Sequence, residues 1–205
     1  MLSQGFEINE DNKQTLDILF RYFTGDKSIE DEGYSLNKGI LLTGSIGTGK
    51  TTIFELLNKF LKKYRLELYS ENEHSRNFRL IDSRHVVRDF HINGMKTLDE
   101  YGRKCFLTKH EPIRGEIIDY SRPVTYCFDD LGLEEVNANL YGNKMSVMID
   151  IMLDRYSMFK SNKMITHAIS NLSIENLAKL YGDRAIDRFK ELFNHLVITG
   201  KSLRK

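Results

Sequence analysis

Proline and cysteine are both nearly missing from this 205-residue chain, at two residues each. Cys105 and Cys127 are too few and too far apart for a disulfide framework, and Cys127 sits inside an apolar run. A reducing, cytoplasmic setting is therefore the simplest expectation. No apolar stretch approaches the length of a membrane span. The first residues, MLSQGFEINEDNK, have neither the basic start nor the apolar core of a signal peptide. Neither sign of charge dominates: 30 Lys and Arg stand against 29 Asp and Glu, a formal net charge of +1. No global field draws the chain to DNA or to a membrane, so any nucleic-acid contact must come from a local patch. Low-complexity tracts and internal repeats are also lacking. What remains is a soluble chain of one domain, long enough to bury a full core.

The most informative stretch is KGILLTGSIGTGKTTIFELL, from Lys38 to Leu57. It reads as an apolar strand (Gly39 to Thr43), a glycine-rich loop (Gly44 to Gly49) and an amphipathic helix opened by Lys50 and Thr51. Gly44, Gly49, Lys50 and Thr51 satisfy G-x-x-x-x-G-K-[ST] in the strand–loop–helix setting that this motif requires. Glycines let the backbone of Gly44, Ser45, Ile46, Gly47, Thr48 and Gly49 wrap closely around phosphates, and successive N–H groups form an anion nest. The helix N-terminus, at Lys50, Thr51 and Thr52, adds partial positive charge. Lys50 is expected to reach the β- and γ-phosphates of a nucleoside triphosphate, and the Thr51 hydroxyl to ligate Mg²⁺.

Around this stretch, apolar periodicity predicts alternating helices and strands. A helix over 11–24 carries Leu16, Leu19, Phe20 and Phe23, with Asn9 or Asp11 as cap, and Phe6 or Ile8 just before it is a candidate for an adenine pocket. A polar connection over 25–37 leads to the loop strand. The helix after the loop presents Ile53, Leu56, Leu57, Phe60, Leu61 and Tyr64, with Lys59, Lys62, Lys63 and Arg65 outside. A strand from Phe78 to Ile81, capped into a helix at Asp82-Ser83, follows. Residues 91–122 are hard to read beyond a short strand in KCFLTK (104–109). Cys105, His110 and Cys127 match no compact zinc spacing. Then come a buried strand at VTYCF (124–128), a helix from Asn143 to Phe159, a strand at MITHAIS (164–170), two helices, and a last strand at HLVIT (195–199). The pattern is that of an α/β fold with a central parallel sheet. Ligands in such sheets sit outside the carboxyl ends of the strands, where the phosphate loop, Asp129-Asp130 and Asn171 all fall.

An apolar strand ending in two carboxylates, downstream of a phosphate loop, suits nucleotide hydrolysis. Asp129 would hold Mg²⁺ opposite Thr51, and Asp130 would orient or deprotonate the attacking water. Asp is a methylene shorter than Glu, so a slow hydrolase is also admissible. Asn171 could hydrogen-bond the γ-phosphate or the same water. Taken alone it is an ordinary turn residue.

GSIGTGKT, CFDDLG, ISNLS, YGDRAIDRF and GKSLR, in this order, resemble the DnaC/IstB-like group of AAA+ ATPases from about Asn37 onward. The resemblance implies a three-layer P-loop NTPase (AAA+/RecA-like) fold with little or no C-terminal lid. Residues 1–37 would then be a helix and linker packed on the core, and 83–122 a variable insertion with possible DNA-binding helices. It makes Asp129-Asp130 the Walker B pair and Asn171 the sensor 1 residue. Arg188 or Arg184 becomes the arginine finger, with Arg188 favoured, and Arg204 a sensor 2 arginine. It implies ATP and Mg²⁺ as ligands and self-association into a ring or filament. It further implies single-stranded DNA gripped near Arg84, Arg88, Lys96 and Arg103, and a replicative helicase or a transposase as partner. Read without the resemblance, Arg184 and Arg188 are exposed charges beside Asp183 and Asp187, and Arg84 to Arg103 a solvated helix face. A helicase loader or related replication factor, a transposition helper, and an ATP-switched DNA-binding module with negligible hydrolysis all stay open.

Overall fold

Ile40 and Leu42 are buried on one face of a strand and Leu41 on the other; Cys127 and its neighbours Tyr126 and Phe128, and Ile169 and Ala168, divide in the same way. Strands that are apolar on both sides must be covered on both sides, which is the reason for a parallel sheet between two helical layers. The computed structural model describes residues 8–64, 77–113, 116–135, 138–140, 143–200 and 202. Phe6, Arg65 and Arg204 lie outside the described residues.

The chain runs α1 (Glu10–Thr24), a 3₁₀ turn (Lys27–Glu32), β1 (Gly39–Gly44), α2 (Lys50–Tyr64), β2 (Arg79–Asp82), α3 (Ser83–Asn93) and α4 (Met95–Tyr101). It continues through β3 (Phe106–Ile113), β4 (Glu116–Pro123), β5 (Tyr126–Asp129), β6 (Ala138–Leu140), β7 (Asn143–Met145) and α5 (Val147–Asn162). It ends with β8 (Thr166–Ser170), α6 (Ile174–Tyr181), α7 (Asp183–Leu192) and β9 (Phe193–Ile198). The central sheet is five-stranded and parallel, in the order β2-β5-β8-β1-β9, so the loop strand β1 lies between β8 and β9. One face is covered by α1 and α2 through Leu19, Phe23, Ile53, Phe54 and Leu61. The other is covered by α3 to α7, through Val86, Phe90, Ile151, Leu177 and Phe189 among others. Cys105 and Cys127 are free thiols buried in these two opposite cores.

Local chemistry sets the boundaries. Asn9 caps α1 in a capping box with Asn12, and Gly25 ends the helix in the left-handed region at φ 78°. Asp82 caps α3 through the N–H of Arg84. Four differences from the sequence expectation have physical causes. Phe20 is 49 % exposed and meets Phe60 outside the core, while Ile18 and Tyr22 are buried instead. Asn143–Met145 is not helical, because it pairs with Ala138–Leu140 as an antiparallel ribbon, and the helix starts at Val147. Residues 106–123 form a long antiparallel hairpin outside the main sheet, registered from Phe106 opposite Pro123 to Ile113 opposite Glu116. The final strand begins at Phe193, two residues earlier than expected, because Gly39 and Ile40 of β1 pair with Phe193 and Asn194.

Arg155, wholly buried on α5, is the largest polar side chain in the interior. Its guanidinium donates to Thr166 Oγ1 and to the carbonyls of Tyr101, Val124 and Ile165 at 2.7–3.0 Å, tying together α4, β8 and the lead-in to β5. It also faces the Tyr126 and Phe128 rings. Burial lowers its pKa to about 10, which leaves it charged at neutral pH. No described helix is long and apolar enough to cross a membrane.

Candidate functional site

The strand–loop–helix at residues 39–64 forms as its residues predict. Gly47 and Gly49 stand at φ 85°, a conformation open to glycine at no steric cost. A Cβ on Gly47 would lie 2.2 Å from Ser202 Oγ. Thr48 folds back so that its hydroxyl donates to the Ser45 carbonyl at 2.9 Å. Lys50 is only 5 % exposed, and its ammonium donates to the carbonyls of Gly44 and Ser45, both at 2.7 Å. The cation is thus held over the loop it would share with an anion. Among the described residues, no hydrogen bond is donated by the main-chain N–H groups of Ile46, Gly47, Thr48 and Gly49. A row of unused donors at a helix N-terminus is the arrangement that takes phosphate oxygens. Ile46 is 61 % exposed at the loop tip, while Thr52, in the first turn of α2, is half-buried.

Across from the loop, the end of β5 supplies the carboxylates. Thr51 Oγ1 donates to Asp129 Oδ2 at 2.8 Å, and the other Asp129 oxygen accepts the N–H of Asp130 at 2.9 Å. Burial pushes Asp129 above the ordinary carboxylate range, with the neighbouring Asp130 and Asp82 adding to the effect. A hydroxyl and a carboxylate oxygen 2.8 Å apart match one edge of an octahedron whose bonds are about 2.1 Å, where adjacent ligands are about 3 Å apart. Magnesium usually takes only one or two protein ligands and completes its shell with water and phosphate. The pair therefore fits that ion, and a site of this kind needs no cluster of three His, Cys, Asp or Glu, which the described residues do not contain.

Asp130 is held from two sides. Its Oδ1 accepts from Asn171 Nδ2 at 2.9 Å, and its Oδ2 from Arg84 at 3.2 Å. The residue has φ 53°, in the left-handed region where Asp is tolerated at some cost in strain. Arg84 was expected on a DNA-facing surface; its guanidinium clasps Asp82 with contacts of 2.6–3.2 Å and reaches Asp130 at the carboxyl end of β5. These hydrogen bonds hold Asp82 below the usual carboxylate range. Sequence periodicity could not reveal the contact with Asp130, because that residue follows the neighbouring strand β5.

The loop after β5 has a brace that the sequence reading missed. Glu134 is 6 % exposed; one carboxylate oxygen accepts the Gly132 N–H at 2.7 Å and the other accepts the Tyr181 hydroxyl. Burial raises the Tyr181 pKa further above its ordinary value, keeping the phenol protonated. Gly132 at φ 93° permits the turn, since a Cβ there would lie 2.7 Å from Leu172. Ser170 adds a second tie, donating to the Leu131 carbonyl at 2.6 Å. The brace joins DDLG to the tyrosine of YGDR, a pairing signalled only by a charged residue inside an apolar turn.

Lys50, Thr51, Asp129, Asp130 and Asn171 are brought to one rim. Arg184 and Arg188 make no hydrogen bond or ion pair with them among the described residues. Arg184 is exposed, with no ion pair among the described residues, whereas Arg188 lies 5.3 Å over the Tyr156 ring and 3.8 Å from Asp187. Ile8 is 71 % exposed. Of the other basic residues on α3, α4 and just beyond, Lys96 pairs with Glu100 and Arg103 with Asp154; Arg88 has no ion pair among the described residues.

The sheet order, with the glycine-rich loop at the end of β1, defines a three-layer α/β fold with a central parallel sheet. No family model matches the chain, and no curated protein sequence matches it. Solved structures do. The DnaC helicase loader is similar with a TM-score of 0.54 at 17% identity, over 96% of this chain and 95% of that one. DnaI is similar at 0.59 and 18%, over 95% of this chain and 88% of that one. The replication initiator DnaA bound to AMPPCP and single-stranded DNA is similar at 0.56 and 16%, over 96% of this chain and 49% of that one.

Proposed function

We propose that this chain is a magnesium-dependent ATPase that assembles on DNA as a helicase loader or related replication factor. The observation that carries the reading is the contact between Thr51 and Asp129 beside Lys50 and the unused loop N–H groups. ATP would lie along Gly44–Thr52, with Lys50 leaving the loop carbonyls for the β- and γ-phosphates. Magnesium, held by Thr51 and Asp129, supplies charge neutralisation on the phosphate oxygens. Asp130 orients the attacking water and takes its proton, and Asn171 fixes that carboxylate and the γ-phosphate side of the site. Arg188 or Arg184 from an adjoining copy completes the charge around the transferred phosphoryl group, which couples turnover to a ring or filament. Of the two, Arg184 is the freer to reach outward. Arg204 is assigned to the same nucleotide by resemblance alone.

The similar structures named for helicase loading and replication initiation favour this role over the transposition helper. Pull-down with a replicative helicase against a transposase separates the two. ATP turnover, with and without single-stranded DNA, tests the core claim. Lys50→Ala is expected to cut turnover by about 10²–10³-fold, and equal turnover in both proteins overturns the claim. Particle mass with a non-hydrolysable ATP analogue and a DNA oligonucleotide tests assembly. Growth should need both ligands and vanish in Arg184→Ala or Arg188→Ala. A second reading, an ATP switch with negligible hydrolysis, is favoured by the two-sided hold on Asp130. Stoichiometric nucleotide binding without phosphate release in the assembled state would establish it.

A further inference from the structure

At the opposite rim, where β2, β5 and β8 begin, a cavity of about 460 Å³ opens between the end of α2, the hairpin base and the residue after α5. That volume is in the range of roughly 300–1,000 Å³ common for small-ligand sites. Its polar lining is one-sided in charge. Lys62, Arg79, Arg122 and Lys163 all face it, and no carboxylate of the described residues lines it. None of the four makes an ion pair among the described residues. Like charges around a concave, partly apolar wall repel each other and focus a positive field, which an anion relieves. Lys163 is also held at φ 56° as the cap of α5, a conformation that glycine adopts more cheaply.

Two further features narrow the ligand. The floor is apolar, with Phe78 buried and Leu107 exposed at the edge. Asn58 Oδ1, on the wall formed by α2, is buried and has no hydrogen-bond partner. A buried acceptor of this kind calls for an N–H or O–H donor. Phosphate for the cations, a flat apolar body for the floor and a donor for Asn58 occur together in a nucleotide.

We propose that this cavity binds one nucleotide unit through its phosphate, either as a free nucleotide or as one residue of a single strand. It is distinct from the phosphate-loop site, which lies a strand length away at the other ends of the same strands, roughly 13–17 Å by strand rise. The site does not depend on ATP hydrolysis or on the phosphate loop.

The test is fluorescence anisotropy in EDTA with two probes, fluorescein-labelled dT15 and fluorescently labelled AMP. Wild type is compared with the combined variant Arg79→Gln, Arg122→Gln, Lys163→Gln. Affinity is expected to fall at least tenfold for the probe that the site takes. For dT15 the slope of log affinity against log salt should shrink by about 0.7, the value for one phosphate no longer neutralised. Weakening confined to dT15 identifies a single strand, and weakening confined to AMP a free nucleotide. Both support the site. Unchanged affinities for both probes, or no binding of either to wild type, overturn it. Should the variant fail to fold, lysine acetylation of wild type decides. Probe-dependent protection of Lys62 and Lys163, with Lys96 unprotected, supports the site, and its absence overturns it.

Discussion

The two rims of the central sheet carry charge in opposite ways. At the carboxyl rim every ionic group of the candidate site is already engaged: Lys50 by loop carbonyls, Asp129 by Thr51, and Asp130 by Asn171 and Arg84. At the amino rim four cations face a cavity with no ion pair among the described residues. The difference teaches that exposed basic residues are poor guides to an interface until their partners are known. Of the sequence candidates for a DNA surface, Arg84, Lys96 and Arg103 are tied to carboxylates, while Arg88 has no ion pair among the described residues. Lys62, Arg79, Arg122 and Lys163, spread over four segments, converge on one cavity and have no carboxylate partners among the described residues.

Experiments can break this contrast at several points. The largest effect is expected from Lys50→Ala, a loss of about 10²–10³-fold in ATP turnover, as when a preorganised electrostatic donor is removed. Oligonucleotide affinity in EDTA should stay unchanged, keeping the rims separable. Arg155→Met comes next. It leaves three carbonyls without their donor, one buried and two part-buried, two of them beside the cavity, and should cost about 3 kcal/mol or more in urea unfolding. Glu134→Ala should cost about 2 kcal/mol by the same measurement, because it leaves the Gly132 N–H and the Tyr181 hydroxyl without their acceptor. It should also lower turnover by loosening the turn after Asp129-Asp130.

The pH dependence sharpens the carboxyl rim alone. The Asp129 pKa is raised in the folded chain, so the folded state holds this proton more tightly than the unfolded one. As pH rises from the unfolded value through the folded one, ionisation of Asp129 costs stability, which is fully lost above the folded value. For metal the sign is reversed, because magnesium needs the carboxylate. Magnesium-dependent nucleotide affinity should therefore weaken as pH falls, starting at a higher pH than an ordinary aspartate would give. Asp129→Asn should remove that dependence in a titration of affinity against pH. The smallest effect is expected from Arg84→Ala, a rise of about 2–5-fold in DNA-free turnover as Asp130 is released, on the scale of an exposed ion pair.

How much of this was legible follows from which interactions are local. The loop at Gly44–Thr51, the caps at Asn9 and Asp82, the buried strand ending at Asp129 and the apolar faces Val86-Val87-Phe90 and Ile186-Phe189 are written in spacings of a few residues, and they form where expected. The hairpin over 106–123 was not legible, because both prolines of the chain, Pro112 and Pro123, fall in its two strands and argue against a strand when read locally. A two-stranded ribbon outside the main sheet tolerates them, since one side of each strand has no ladder to complete. Asn143–Met145 misled in the opposite direction, because its apolar spacing continues that of α5 while its backbone pairs with β6.

By itself the sequence determined the phosphate loop, the alternation of helix and strand, and the carboxylates and Asn171 at strand ends, because each depends on neighbours along the chain. Only the tertiary structure decided that β1 lies between β8 and β9, that Arg84 reaches Asp130 as well as Asp82, that Glu134 meets Tyr181, and that four scattered cations share one cavity. Those outcomes depend on which strands become neighbours. Strand order is set by two-sided burial of the whole sheet, a property that no single stretch of residues contains.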